Sequence, residues 1–145
     1  QGFELMQQTM QAEKAAAPQD PLNQFAASGL AYVNFALSHP AYYRVMFSGD
    51  LLSSKGHVAF QHTSSRAIRE MVTDIKLGQE QGVLRPGDPV VQALTIWSTI
   101  HGFVYIVNDN RLSHLVGEDF SLDDIRVQVL VMIFEGLGVP ERLEK

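Results

Sequence analysis

The residue whose type and position could do the most chemistry is His101, which follows Trp97 by four residues in a stretch without charge. Four residues make about one helical turn, so the imidazole and the indole would lie side by side on one helix face. A buried neutral imidazole needs a hydrogen-bond partner. Three roles stay open: a core histidine bonded to a backbone carbonyl, a polar group that orients a ligand, or a catalytic acid or base.

The other titratable residues offer little further chemistry. His57 and His62 are five residues apart and would lie on different helix faces, and His114 and Glu118 fall in a polar loop. The sequence contains no Gly-rich phosphate loop, no Glu-x-x-His motif and no nucleophile elbow. The acidic residues cluster at helix starts and outer faces, so His101 lacks a second titratable group beside it. We therefore predict no catalytic residue, no metal site and no cofactor.

Composition narrows the class of protein. The 145 residues are 46% hydrophobic and 19% charged, which is typical of one globular domain with a real core. The net charge of -5 disfavours nucleic-acid binding by this chain alone, because an acidic surface repels phosphate. The absence of cysteine excludes disulfides and thiolate metal sites, and it favours a reducing compartment such as the cytoplasm.

Helical periodicity dominates the whole chain, and no segment alternates convincingly as a strand. Asp-Pro pairs at 20–21 and 88–89 and Ser121 are typical helix starts, and Gly82 suits a left-handed helix end. The pattern predicts a single all-α domain over residues 1–145, with about six helices. Their expected ranges are 3–17, 21–38, 41–47, 57–81, 88–110 and 121–137.

Aromatic and methionine side chains alternate with small residues on the expected inner faces. Such a mixture can form a solid core, or it can surround an apolar cavity with few polar groups, as small-molecule sites do. The residues expected to line this cavity are Phe25, Tyr32, Met46, Phe60, Ser64, Met71, Trp97, His101 and Tyr105.

The helices at 88–110 and 121–137 are too apolar around their circumference for a monomer, since a stripe of roughly 100° suffices. The excess predicts a homodimer in which both helices form a four-helix bundle with their symmetry mates. The polar residues scattered through 89–108 argue against a membrane span. The bulky face with Val90, Leu94, Trp97, His101, Val104 and Tyr105 would turn inward. The expected dimer seam comprises Thr95, Ser98, Thr99, Gly102, Ile106, Val127, Leu130, Val131 and Phe134.

Three segments resemble the C-terminal domain of TetR-type bacterial transcription regulators, of the subgroup with a Trp-x-x-x-His-Gly motif. They are Asp-Pro-Leu through Tyr-Arg-Val-Met-Phe at 20–47, Gln-Gly-Val-Leu-Arg-Pro-Gly-Asp-Pro at 81–89, and Trp97 with His101-Gly102. The resemblance extends from about residue 2 to 138. It implies a helical domain that binds a small, largely apolar effector and dimerises through its last two long helices.

The resemblance also shows one departure, because the helix-turn-helix domain that precedes this domain in the family is absent. Residues 1–17 resemble the connecting helix that follows that domain, so DNA binding is implied only for a parent protein. Effector binding would then shift the spacing of its two DNA-reading heads. Two other classes of function stay open: a helical dimeric enzyme that uses His101, and a structural dimerisation module with a solid core.

Overall fold

The computed structural model describes residues 2–47, 54–117 and 119–138, and for 54–64 it describes the helical backbone alone. Within these ranges the chain is all-α, as predicted, and no strand occurs. The seven described helices are α1 (Gly2–Ala16), α2 (Pro21–Ser38), α3 (Pro40–Phe47), α4 (Ser54–Glu80), α5 (Pro89–Asn108), α6 (Leu112–Val116) and α7 (Leu122–Leu137).

Side-chain caps fix the starts of the three helices that carried cap signals in the sequence. Asp20 accepts a hydrogen bond from the Leu22 amide at 3.1 Å, and Asp88 accepts one from the Val90 amide at 2.8 Å. The Ser121 hydroxyl accepts from the amide three residues later at 3.2 Å. Each cap pairs an amide that has no partner within its helix, so these three predicted helix starts are confirmed.

The turn between α4 and α5 depends on two glycines. Gly82 has φ +67°, which confirms the predicted left-handed helix end. The chain then folds back, and the amides of Val83 and Leu84 both donate to the Gly78 carbonyl, at 2.9 and 3.1 Å. A Cβ at Gly78 would lie 2.6 Å from Leu84 Cδ1, and Leu84 is only 2% exposed. A larger residue at position 78 would therefore have to displace the buried Leu84 side chain, and glycine lets the turn pack on its own helix.

The same turn is joined to the end of the chain's last helix. Leu84 and Gly138 form an isolated antiparallel bridge, and the Arg85 amide donates to the Leu137 carbonyl at 2.7 Å. This clasp, formed by residues 84–85 and 137–138, gives the end of α7 a hydrogen-bond partner from outside its own helix.

The helices pack around one apolar core in which α5 is central. It contacts α2, α4 and α7, while α1 lies along α2. The α5 side chains that face this core are Ala93, Ile96, Ile100, Phe103 and Val104. By length and composition alone, α5 is apolar enough to cross a membrane. This is weak evidence for a membrane span, because α5 packs against three neighbouring helices of the same chain.

The inward face of α5 differs from the predicted one by about a quarter of a helical turn. Val104 is buried as expected and Trp97 and His101 are half-buried, but Val90, Leu94 and Tyr105 are exposed. The expectation ranked residues by bulk. The part of α5 that α2, α4 and α7 cover is instead a stripe of alanine, isoleucine and phenylalanine, and Trp97 and His101 lie at its edge.

The short helix α6 was not predicted. It has five residues, which is less than two turns, so no hydrophobic period can be read from it. Its N-terminal flank, Arg111, makes no side-chain cap. The sequence therefore carries neither of the two signals by which the longer helices are recognised.

Candidate functional site

An apolar cavity of about 110 Å³ lies among α1, α2, α3, α4, α5 and α7. Its size is of the same order as the ~150 Å³ engineered cavity that takes up benzene. Its walls are mainly aromatic, aliphatic and methionine side chains, as in other small-molecule sites. The apolar lining residues are Phe3, Met6, Met10, Phe25, Phe47, Ala67, Ile68, Met71, Ile96, Trp97, Ile100, Ile133 and Phe134.

Four of the nine residues expected at a cavity do line it: Phe25, Tyr32, Met71 and Trp97. Their part in ligand binding stays a prediction. The side chains of Phe60 and Ser64 lie outside the described residues.

Met46 and Tyr105 lie elsewhere, which corrects the expected lining. Met46 is buried in the core near Gly2, where a Cβ would lie 2.9 Å from its sulfur. Tyr105 is 55% exposed, because the inward face of α5 is turned away from it.

The largest contribution missed from the sequence comes from α1. This helix supplies six lining residues, of which Phe3, Met6 and Met10 are apolar. Their helical spacing was visible, but nothing in it shows that α1 folds back over α2 and covers a cavity. A helix thought of as a connector is therefore also a wall of the cavity.

Polar side chains join α1 to α4 along one edge of the cavity. Lys14 pairs with Asp74 at 2.5 Å, and the Gln7 amide donates to the Glu70 carboxylate at 3.4 Å. These residues line the cavity beside its apolar walls. Both contacts are partly exposed, so we expect each to add little to stability.

His101 lies just beyond the cavity wall and stacks on Trp97, with ring centroids 5.2 Å apart. Its Nδ1 is 2.5 Å from the Tyr43 hydroxyl, which in turn lies 3.3 Å from the Tyr32 hydroxyl. The partner of His101 in the described residues is thus a phenol, rather than the backbone carbonyl expected for a plain core histidine. We call Tyr32, Tyr43 and His101 the hydroxyl relay.

Burial keeps the hydroxyl relay uncharged near neutral pH. Desolvation raises the pKa of Tyr32 to about 12 and raises the pKa of Tyr43 further. Desolvation also lowers the pKa of His101, because the protonated imidazole loses water. An acid–base mechanism would need a second group that titrates near neutrality, and neither phenol does so.

The outer surface of α5 and α7 forms a shallow groove that is largely apolar. It runs between Val91, Thr95 and Thr99 on one helix and Met132 and Gly136 on the other. The hydroxyls of Thr95 and Thr99 both bond to carbonyls one turn earlier, at 2.8 Å. Their hydrogen-bonding capacity is thus partly used within α5, which makes this surface more apolar than its sequence suggests.

The residues expected at a dimer seam separate into two groups. Thr95, Ser98, Thr99, Val127 and Val131 are exposed, and Gly102 and Ile106 are half-buried. Leu130 and Phe134 instead face the core, which corrects their assignment: Leu130 is 5% exposed and Phe134 packs edge-on against Phe25. The inner stripe of α7 needed both side chains to cover α2.

No three histidine or acidic side chains come together as a potential metal site in the described part of the chain. The chemistry of the site is therefore that of an apolar enclosure with a few hydroxyl, amide and charged groups at its edges. Such a set can bind and orient a small molecule, and it offers no activated nucleophile.

Comparison with known proteins places this fold. No curated protein sequence matches the chain. A solved structure, described as that of a protein with unknown function from Rhodococcus sp. RHA1, matches with a TM-score of 0.76. The match has 23% sequence identity and covers 95% of this chain and 70% of the other, so it supports the fold alone. The sequence model of the family "Tetracyclin repressor-like, C-terminal domain" matches residues 25–124, more than half of the chain, and the protein therefore belongs to this family.

Proposed function

We propose that this chain is the effector-binding and dimerisation domain of a TetR-type transcription regulator. The family is regulatory rather than enzymatic. The observation that carries the proposal is the apolar cavity walled by Phe25, Met71 and Trp97 and covered by α1. A purely structural module has no need for such a space, because an empty cavity costs stability.

The position of α1 supports a route from the cavity to the rest of a regulator. Met6 and Met10 form part of the wall, so a ligand that fills the cavity would press on α1 directly. In the proposed parent protein, α1 follows a DNA-binding domain, and its displacement would alter the spacing of two such domains. This would operate in the cytoplasm, where soluble regulators of this family act.

The outer groove of α5 and α7 supports dimerisation. Val91 on α5 and Met132 on α7 line this groove and are large apolar residues that are exposed in the single chain. Leu94, Tyr105 and Val127 are also exposed on these two helices, outside the groove. An exposed apolar groove of this kind normally marks an interface. Two copies related by a twofold axis would bring the grooves together as a four-helix bundle.

The ligand part of the proposal can be tested through Trp97, which is the single tryptophan of the chain. Toluene should change its fluorescence and raise the melting temperature, because a single ring suits the size of the cavity. Gly29→Leu is the matched control, since a Cβ there points toward Phe134 at 3.8 Å and a larger side chain would fill the space. Equal responses of both proteins would contradict binding in the cavity.

The dimer part can be tested by sedimentation at micromolar concentration. We expect the wild-type chain to be a dimer and Ser98→Glu to dissociate it, because a charge buried in an apolar seam is costly. Ser113→Glu, on the exposed short helix α6, is the matched control and should stay dimeric. A monomeric wild type, or a dimeric Ser98→Glu protein, would show that the seam is assigned wrongly.

A further inference from the structure

Tyr32 belongs both to the cavity wall and to the hydroxyl relay, and it is the one buried aromatic hydroxyl at the cavity among the described residues. Most of the remaining inner wall is apolar, and Ser28 can either donate or accept. The Trp97 indole N–H, which can only donate, is directed at the Tyr32 oxygen, which keeps a second lone pair for a ligand. At the α1–α4 edge, Lys14 already pairs with Asp74, and the Gln7 amide already donates to Glu70. The direction of the hydroxyl relay therefore decides whether Tyr32 presents a proton or a lone pair to a ligand at the inner wall.

The two distances in the hydroxyl relay favour one direction. Imidazole nitrogen is a better acceptor than phenolic oxygen, and phenol O–H is a better donor than imidazole N–H. The 2.5 Å contact is therefore best explained by Tyr43 donating to His101 Nδ1, with the histidine proton on Nε2. Tyr43 can then only accept at its 3.3 Å contact with Tyr32, so the Tyr32 proton points away from the cavity.

We propose that the cavity binds a small single-ring aromatic molecule that carries a hydrogen-bond donor, such as a hydroxyl, which donates to the Tyr32 oxygen. This inference rests on the proposed ligand-binding function and adds the chemical class of the ligand. The ring would pack against the aromatic side chains of Phe25 and Trp97, and the volume of about 110 Å³ limits the ligand to roughly one ring. A ligand with only an acceptor would face the Tyr32 oxygen with no proton between them.

The test compares phenol with toluene, which has nearly the same shape but no donor. Phenol and toluene differ in hydration, so the ratio of their dissociation constants is measured both in the wild type and in Tyr32→Phe. The solvent contribution is the same in both ratios and cancels when they are compared. We expect Tyr32→Phe to weaken phenol about five- to tenfold relative to toluene, the effect of one hydrogen bond. An unchanged ratio would overturn the inference.

The control separates this inference from the proposed function. If toluene binds both proteins and phenol gains nothing from Tyr32, the cavity is a ligand site but the donor preference is wrong. If neither compound binds the wild-type chain, the proposed ligand-binding function itself fails. Tyr42→Phe, at a 47% exposed tyrosine next to the hydroxyl relay in sequence, is the matched variant and should leave the ratio unchanged.

Tyr43→Phe gives an independent test of direction. The Tyr32 hydroxyl then loses its acceptor and can turn its proton into the cavity, so benzaldehyde, which has only an acceptor, should gain several-fold relative to toluene. The nitrogen-15 resonances of His101 report the direction without any variant. We expect Nε2 to carry the proton and Nδ1 to be bare, and a protonated Nδ1 would overturn the inference.

Discussion

Similar aliphatic side chains are buried on one side of α5 and exposed on the other. Ile96 and Ile100 on the inner side are 3% and 5% exposed, whereas Val91 and Leu94 on the outer side are 58% and 46% exposed. The inner side is covered by α2 and α4 of the same chain, whereas no described part of the chain covers the outer groove. Apolar character therefore does not distinguish the two sides of α5, and the difference between them is which neighbours the fold supplies.

Of the variants that test this comparison, the truncation of a side chain on the inner side of α5 should have the largest effect. We expect Ile100→Ala to lower the free energy of unfolding by about 2–5 kcal/mol, because it removes buried methyl groups beside a cavity that already exists. The measurement is chemical denaturation at several protein concentrations.

Val91→Ala is the matched truncation on the outer side of the same helix. In the single chain it should cost little, within about 0.5 kcal/mol, as for other surface positions. Its effect should instead follow protein concentration, as expected for a dimer contact. If both variants lose the same stability at every concentration, the outer side is not a separate interface.

The second prediction concerns the pH dependence of the unfolding free energy that arises from the buried Tyr32 hydroxyl. The folded-state pKa of Tyr32 is about 12, above its usual value near 10, so folding favours the protonated form. Its contribution is fully present below pH 10 and is lost as the pH rises from 10 to 12, by up to about 2–3 kcal/mol. Tyr32→Phe should flatten this fall in unfolding free energy.

The exposed Tyr42 provides the comparison for this experiment. Tyr42→Phe removes the same functional group from a side chain that is 47% exposed, so the fall in unfolding free energy above pH 10 should stay as steep as in wild type. A curve that responds equally to both substitutions would mean that the loss of stability is a general effect of alkaline pH.

The smallest effect is expected for a methyl group added to the outer side. A Cβ at Gly102 would have no atom of the described residues within 4 Å, and alanine is favoured over glycine in helices by up to about 1 kcal/mol. Gly102→Ala should therefore stabilise the isolated chain slightly. It should also weaken the dimer, because a second copy packed closely on Gly102 would meet the methyl group.

The measurement for Gly102→Ala combines thermal unfolding with sedimentation. Gly136→Ala is the companion variant, since Gly136 lines the outer groove and, like Gly102, has no described atom within 4 Å of a Cβ built on it. If both substitutions raise the melting temperature and leave the dimer unchanged, the groove is not the dimer seam.

The sequence predicted the helices well because their signals are local. Asp20, Asp88 and Ser121 cap amides two or three residues away, and Gly82 ends α4 by its own backbone conformation. These contacts lie within one helical turn, so residue type and spacing are sufficient to predict them.

The faces of the helices were harder to predict because they depend on distant parts of the chain. The inward face of α5 was misplaced toward Tyr105 because bulk was taken as a sign of burial, whereas the neighbours select Ala93 and Ile100. Leu130 was assigned to the seam because α7 is apolar around most of its circumference, although α2 covers it. The hydroxyl relay joins residues 11 and 58 positions apart, and no local pattern predicts such a pairing.

The clasp between the α4–α5 turn and the end of α7 has a consequence for local opening of the protein. Because the Arg85 amide bonds to the Leu137 carbonyl, α7 cannot fray at its end without also exposing an amide more than fifty residues earlier in the chain. In native-state hydrogen exchange, Arg85 should thus be protected to the same degree as the last turn of α7. The segment from α5 to α7 would then open as one cooperative unit, with the outer groove carried on it.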